Sequence, residues 1–268
     1  MRNVTETVKQ LIIINIIFFV GTQILGDVAY KYLSLYYPEN PDFKYWQPLT
    51  HMFMHGNLMH IFFNMFALFS FGTALEQMWG AKKFLFFYIS CGLGAALLHT
   101  AVNYIEIHSL LSQLANLNLS TSEFHQLLNA DYSSLFDQKG KMIAGNINSL
   151  LERVHCTQQQ FNIILEASNI SKGTVVGASG AIYGLLVAFA FMFPNAELAL
   201  MFIPVPIKAK YFVPIFMLLY DGFFGILGGL FAGIGDGVAH FAHVGGALFG
   251  FLMVWYWKRN QFNSNRWN

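Results

Sequence analysis

The sequence predicts an all-α, polytopic membrane protein: six transmembrane helices in one bundle, with a helical extracytoplasmic insertion. Three observations predict it. The 268 residues are 55% hydrophobic and only 11% charged, against about 25% charged in an average soluble domain. Apolar runs recur near 10–27, 55–75, 83–104, 175–193, 211–228 and 239–257, each close to the ~20 residues that cross a bilayer as a helix. Between the third and fourth runs lies a long polar stretch with leucines at helical spacing. The net charge of +1 carries no basic excess for nucleic acid.

The first run, in "MRNVTETVKQLIIINIIFFVGTQILGD", follows a short basic region, as in a signal peptide. No convincing small-x-small cleavage site comes after it, so it reads as a retained helix. The first three spans occupy 1–104. Residues 105–172 hold short amphipathic patterns, "IEIHSLLSQLANLNLSTSEFHQLLNADYSSLFDQ" and "NINSLLERVHCTQQQFNIILEASNISK", too polar for another crossing. Spans four to six occupy 173–258, and 259–268 form a cytoplasmic tail. Cys91 and Cys156 fall in an apolar and a polar segment, so no disulfide is expected.

Orientation follows from Lys and Arg. With the first residues inside, short inner segments hold nine cations: Arg2, Lys9, Lys82, Lys83, Lys208, Lys210, Lys258, Arg259 and Arg266. Six are spread over two longer outer segments. That bias predicts a multi-pass protein of the cell (plasma or inner) membrane with both termini cytoplasmic.

Three spans carry groups able to do chemistry. In "VVGASGAIYG", Gly177, Gly180 and Gly184 share a helical face with room for a close neighbour. On Ser179 alone, a packing seam is the better reading. In "AHFAHVGGALFG", His243, Gly246 and Gly250 lie at i, i+3 and i+7, a second small-residue face with a histidine at its head. Two such faces predict close packing of spans four and six. An imidazole beside Ser179 could take its proton. His240 is the rival base, and no glycine follows it by three. On the His243 face no acidic third member is evident; the nearest carboxylate in sequence, Asp236, belongs to the loop before span six. In "THMFMHGNLMHIFFNMFALFSFG", His60 and Asn64 share a face at a depth similar to Ser179, as oxyanion donors would. His51 and His55 have a metal-ligand spacing. No Glu follows His51, and a structural role pinning the outer loop reads better.

In combination these motifs resemble the rhomboid intramembrane serine proteases. "GASG" is similar to the family's Gly-x-Ser-Gly, "AHVGG" to its Ala-His-x-x-Gly, and "HMFMHGNLMHIFFN" to its His-x3-His-x4-His-x3-Asn. "GTALEQMWG", with Gly72, Glu76 and Gly80, resembles the Gly-x-x-x-Glu segment ending span two. The resemblance covers roughly 8–104 and 173–258. It implies a rhomboid-like fold and a serine endopeptidase that cleaves transmembrane segments of membrane proteins. It further implies Ser179 as nucleophile, His243 as base in a Ser-His dyad, His60 and Asn64 as oxyanion donors, and Tyr183 as support for the histidine ring. Gly177 belongs to the same motif. Small residues at the cut and an easily unwound substrate helix are expected. The implied partners are transmembrane protein substrates and the lipid bilayer; neither cofactor nor metal is called for. Trp46-Gln47 stands where the family often has Trp-Arg. "DGFFGILGGLFAGIGDG", 221–237, looks like a mobile cap over an outward-facing cavity, and the resemblance implies substrate entry beside span five. The competing readings are a non-proteolytic rhomboid-like protein that binds membrane clients, and a transporter. Ser179 and His243 argue against the first, and the lack of a half-to-half repeat against the second.

Overall fold

The computed structural model describes residues 4–132, 135, 143, 145–200, 203–227 and 239–264. The chain divides into two compact units: 1–35, 46–99 and 175–268 form the first, and 36–45 with 100–174 the second.

In the first unit, the first span is Glu6–Leu25, stopped by Gly26 at φ 55°. Its Ile17 and Ile24 are 62% and 77% exposed, which in water would be a liability and in lipid is the expected outer face. Its other face buries Val8, Leu11, Asn15 and Thr22. The second span, Leu58–Trp79, contains a π-helical turn at Leu68–Gly72 and ends at Gly80, φ 76°. The third helix is Ala81–Ser112, longer than its apolar run. These three are long and apolar enough to cross a membrane. Span four, Ser179–Met192, has 14 residues, about 21 Å of helix. That is short of a ~30 Å hydrocarbon core, so its first residue starts below the membrane surface when its far end reaches the opposite boundary.

One sequence expectation about the fold is corrected by the structure. The fold is not purely α: Glu197–Leu200 and Ile203–Lys208 pair as an antiparallel hairpin between spans four and five. The sixth helix is His240–Ser264. Span five comprises Ala209–Met217, with Pro214 inside it, continued by a π-helical segment Leu218–Leu227. Proline removes a helix donor and crowds the preceding turn; the wider winding begins at Leu218, one turn after it. Most of the expected cap, and Asp236 with it, lie outside the described residues.

Spans four and six meet through glycine. A Cβ on Gly246 would overlap the carbonyl of Gly180, and one on Gly250 would come within 2.7 Å of the Gly184 Cα. Span three closes the other side, where a Cβ on Gly245 would lie 2.9 Å from the Gly94 carbonyl. The apolar core around this seam includes Leu75, Phe84, Phe87, Tyr88, Cys91 and Leu185. Trp79 packs edge-on to Trp257 at 5.4 Å, and the Lys83 ammonium sits 4.2 Å from the Trp257 ring. Such aromatic-cation groups favour a membrane–water boundary.

One buried carboxylate anchors the start of the first helix. Glu76 Oε2 accepts from the Thr5 hydroxyl at 2.5 Å and the Val8 amide at 2.9 Å, and Oε1 from the Thr7 amide at 3.1 Å. The first amides of a helix lack internal partners and carry partial positive charge, so an acceptor there is stabilising.

The second unit contains the helices Thr121–Asn129, Asn146–Arg153 and Gln158–Lys172. Ser120 with Glu123, and Thr157 with Gln160, form capping boxes. The Ser120 amide and hydroxyl, with Arg153, hold the Glu123 carboxyl down at about 2. Leu114, Leu117, Leu127, Leu150, Leu151 and Ile164 give this unit its own core. Both cysteines are free.

Two outcomes follow from the packing. Glu76→Ala should destabilise the protein by about 2–3 kcal/mol, because it removes a charged acceptor from three donors; thermal unfolding in detergent reads this, and Glu76→Gln should recover part. Gly246→Ala should lower the melting temperature, since an added methyl meets backbone that cannot rotate away. Gly21→Ala is the control, because a Cβ at Gly21 meets nothing within 4 Å.

Candidate active site

The segment before span four is held extended by its neighbours. Val175 pairs with Leu35, and the Gly177 amide donates to the His51 carbonyl at 2.9 Å. Gly177 has φ +127°, and a Cβ there would lie 2.8 Å from His60 Nε2. Both conformation and space therefore require glycine. The chain then enters the helix with Ser179 as its first residue.

His243 stands in the first turn of span six, directly above the glycine seam. Its Nε2 lies 2.9 Å from Ser179 Oγ. Its ring stacks on Tyr183 with centroids 4.3 Å apart and planes 10° from parallel. Its Nδ1 lies 2.7 Å from Asp221 Oδ1. An ionised carboxylate only accepts hydrogen bonds, so Nδ1 carries the proton and Nε2 is an acceptor for the serine O–H. His243 is 8% exposed and Asp221 1%.

His60 faces the same region from span two, and Asn64 lies one turn further along the same helix. The Gly56 amide donates to His60 Nδ1 at 3.4 Å, which leaves the hydrogen of the neutral ring on Nε2. That Nε2 is the atom beside Gly177, whose Cβ position is also 3.5 Å from Ser179 Oγ. Asn64 is buried, and its Nδ2 has no partner among the described residues.

The remaining histidines divide by contact. His51 Nδ1 bonds the Gln47 carbonyl at 3.0 Å, and burial pushes its imidazole down to about 4. His55 meets the His60 ring edge-on at 5.0 Å. The Trp46 indole donates to the Tyr32 carbonyl at 2.8 Å, and the Gln47 amide to the Lys31 carbonyl at 3.2 Å, so both fasten the first loop to the helix before it. His240, the rival base, bonds not Ser179 but Asp221: its Nδ1 lies 2.8 Å from the same Oδ1.

Asp221 is the residue that sequence reasoning missed, and its position corrects the expectation that no carboxylate stands beside His243. The signal was present. Asp221 is the single acidic residue between 209 and 227, and an ionisable group inside a span is a functional candidate by default. Its neighbours in sequence pointed instead to a mobile cap. Asp221, His240 and His243 also present three potential metal-ligand atoms within 4.8 Å of one another. The separations of 2.7 and 2.8 Å are hydrogen-bond lengths and account for the cluster by themselves.

Known proteins resemble parts of this chain. The rhomboid domain model matches residues 42–108 and 142–260, well over half of the chain. Over 50 residues the chain is 40% identical to the rhomboid protease GluP of Bacillus subtilis (strain 168), a stretch covering 19% of this chain and 10% of that protein. The match thus spans about a tenth of that relative. With that domain, its long apolar helices and lipid-type outer faces, this integral membrane protein belongs to the rhomboid family.

Proposed function

We propose that the chain is an intramembrane serine endopeptidase that cleaves transmembrane segments of membrane proteins. The observation that carries this reading is the 2.9 Å contact between Ser179 Oγ and His243 Nε2, in the tautomer a general base needs. Ser179 Oγ attacks the scissile carbonyl carbon as its proton passes to His243 Nε2. The C–N bond then breaks and the same proton goes to the leaving amine. Water, activated in turn by His243, hydrolyses the acyl-enzyme. His60 Nε2–H, the Asn64 amide and the Ser179 backbone N–H meet the developing oxyanion, and Tyr183 supports the histidine ring. The amide of Ser179 belongs to a helix N-terminus, whose partial positive charge favours an anion.

In this reading both termini are cytoplasmic and 105–172 is extracytoplasmic. The distribution of nine inner and six outer cations supports that orientation. Spans one to three, the insertion, spans four to six and the tail are the functional divisions.

The deciding experiment compares wild type with Ser179→Ala on a labelled transmembrane substrate in liposomes. Cleavage by wild type and none by the variant is expected, with a fluorophosphonate labelling Ser179 in wild type only. Absence of both cleavage and labelling in wild type would overturn the reading and favour client binding. His60→Ala and Asn64→Ala should each lower kcat by about 10²–10³-fold, the typical effect of losing one oxyanion donor.

A further inference from the structure

We propose that Asp221 is the positioning residue of the Ser179–His243 pair, and that His240 holds Asp221 in place. Four side chains from three spans then act as one hydrogen-bonded chain. The proposal rests on the proteolytic reading and adds a carboxylate that lies outside the motifs carrying Ser179, His243, His60 and Asn64.

Asp221 is 1% exposed on an otherwise apolar span. One of its oxygens, Oδ1, takes the Nδ1 of both His243 and His240, at 2.7 and 2.8 Å. That oxygen only accepts, so each imidazole keeps its hydrogen on Nδ1. For His243 this leaves Nε2 bare and facing Ser179. Without Asp221 the opposite tautomer competes, and its Nε2–H cannot take the serine proton. Tyr183 stacks on the ring face and fixes its plane; Asp221 fixes the rotation of the ring within that plane. The two constraints are complementary.

His240 supplies the second donor on that oxygen and opposes rotation of the carboxylate. It is itself seated by span five. A Cβ on Gly225 would overlap the His240 ring, and Tyr220 meets that ring edge-on at 5.8 Å. The π-helical winding of 218–227 belongs to this arrangement, since such segments often mark functional sites.

The test uses the full chain in liposomes with the same substrate. Asp221→Asn should lower kcat by about 10²–10⁴-fold with KM within about twofold, as expected when the base is left in the wrong tautomer. Asp221→Glu should recover at least about tenfold of that loss, and His240→Phe should cost about tenfold. Turnover by Asp221→Asn within about threefold of wild type would overturn the proposal. Nitrogen-15 NMR of histidine-labelled wild type gives a second reading that survives misfolding of any Asp221 variant. The His243 signals, identified by comparison with His243→Gln, should show the proton on Nδ1; a proton on Nε2 would overturn the proposal. If wild type fails to cleave, the proteolytic reading falls, while the NMR still decides whether Asp221 sets the tautomer.

Discussion

The distance between spans four and six is set by glycine, and the rest of the site depends on it. Gly180 and Gly184 face Gly246 and Gly250 with backbone against backbone. No hydrophobic effect drives helices together in lipid, so close packing between small residues has to hold them. Ser179 begins one of these helices, and His243 lies in the first turn of the other. Their 2.9 Å separation is a consequence of the seam one turn deeper. Side chains larger than hydrogen along this line would move Ser179 Oγ and His243 Nε2 apart before touching them.

The short fourth helix supplies the second constraint. With its far end at the opposite boundary it starts below the bilayer surface, and the backbone before it must then be satisfied without a helix, in a region where unpaired groups cost several kcal/mol. Val175 and Gly177 find partners in Leu35 and His51. The loop carrying His51 is in turn fastened through Trp46, Gln47 and Thr50, whose hydroxyl bonds the Leu33 carbonyl at 2.8 Å. Irregular backbone at this depth is tolerated where it is buried in protein or lines a cavity. The same segment carries Gly177, where the missing Cβ opens the space between His60 and Ser179.

Much of this was legible in the sequence, because helical periodicity is local. The i, i+3, i+7 pattern of His243, Gly246 and Gly250, and the four-residue step from His60 to Asn64, fix shared faces without tertiary information. The glycines of span four point to the partner helix for a similar reason. Asp221 was not legible in this way. Its partners are 19 and 22 residues away, and its side depends on the π-helical winding after Pro214. A helical wheel at 3.6 residues per turn assigns the wrong face once the winding widens. The hairpin at 197–208 was hidden because "ELALMFIPVPIK" reads as a short apolar connection with no turn signal of the usual glycine or asparagine type.

A buried carboxylate between two imidazoles is costly in the resting protein, since an ion inside a membrane domain loses its hydration. In the proposed reaction that cost acquires a use. When Ser179 gives up its proton, His243 becomes a cation directly beside Asp221. Two unit charges about 4 Å apart attract by about 4 kcal/mol at an effective dielectric near 20. The attraction is absent before proton transfer and present during it. Only interactions stronger in the transition state than in the ground state accelerate a chemical step. A fixed aspartate meets that requirement without moving, because its orientation is set in advance by His240 and its own span. Tyr183 adds no charge of this kind; it holds the ring where the charge will form.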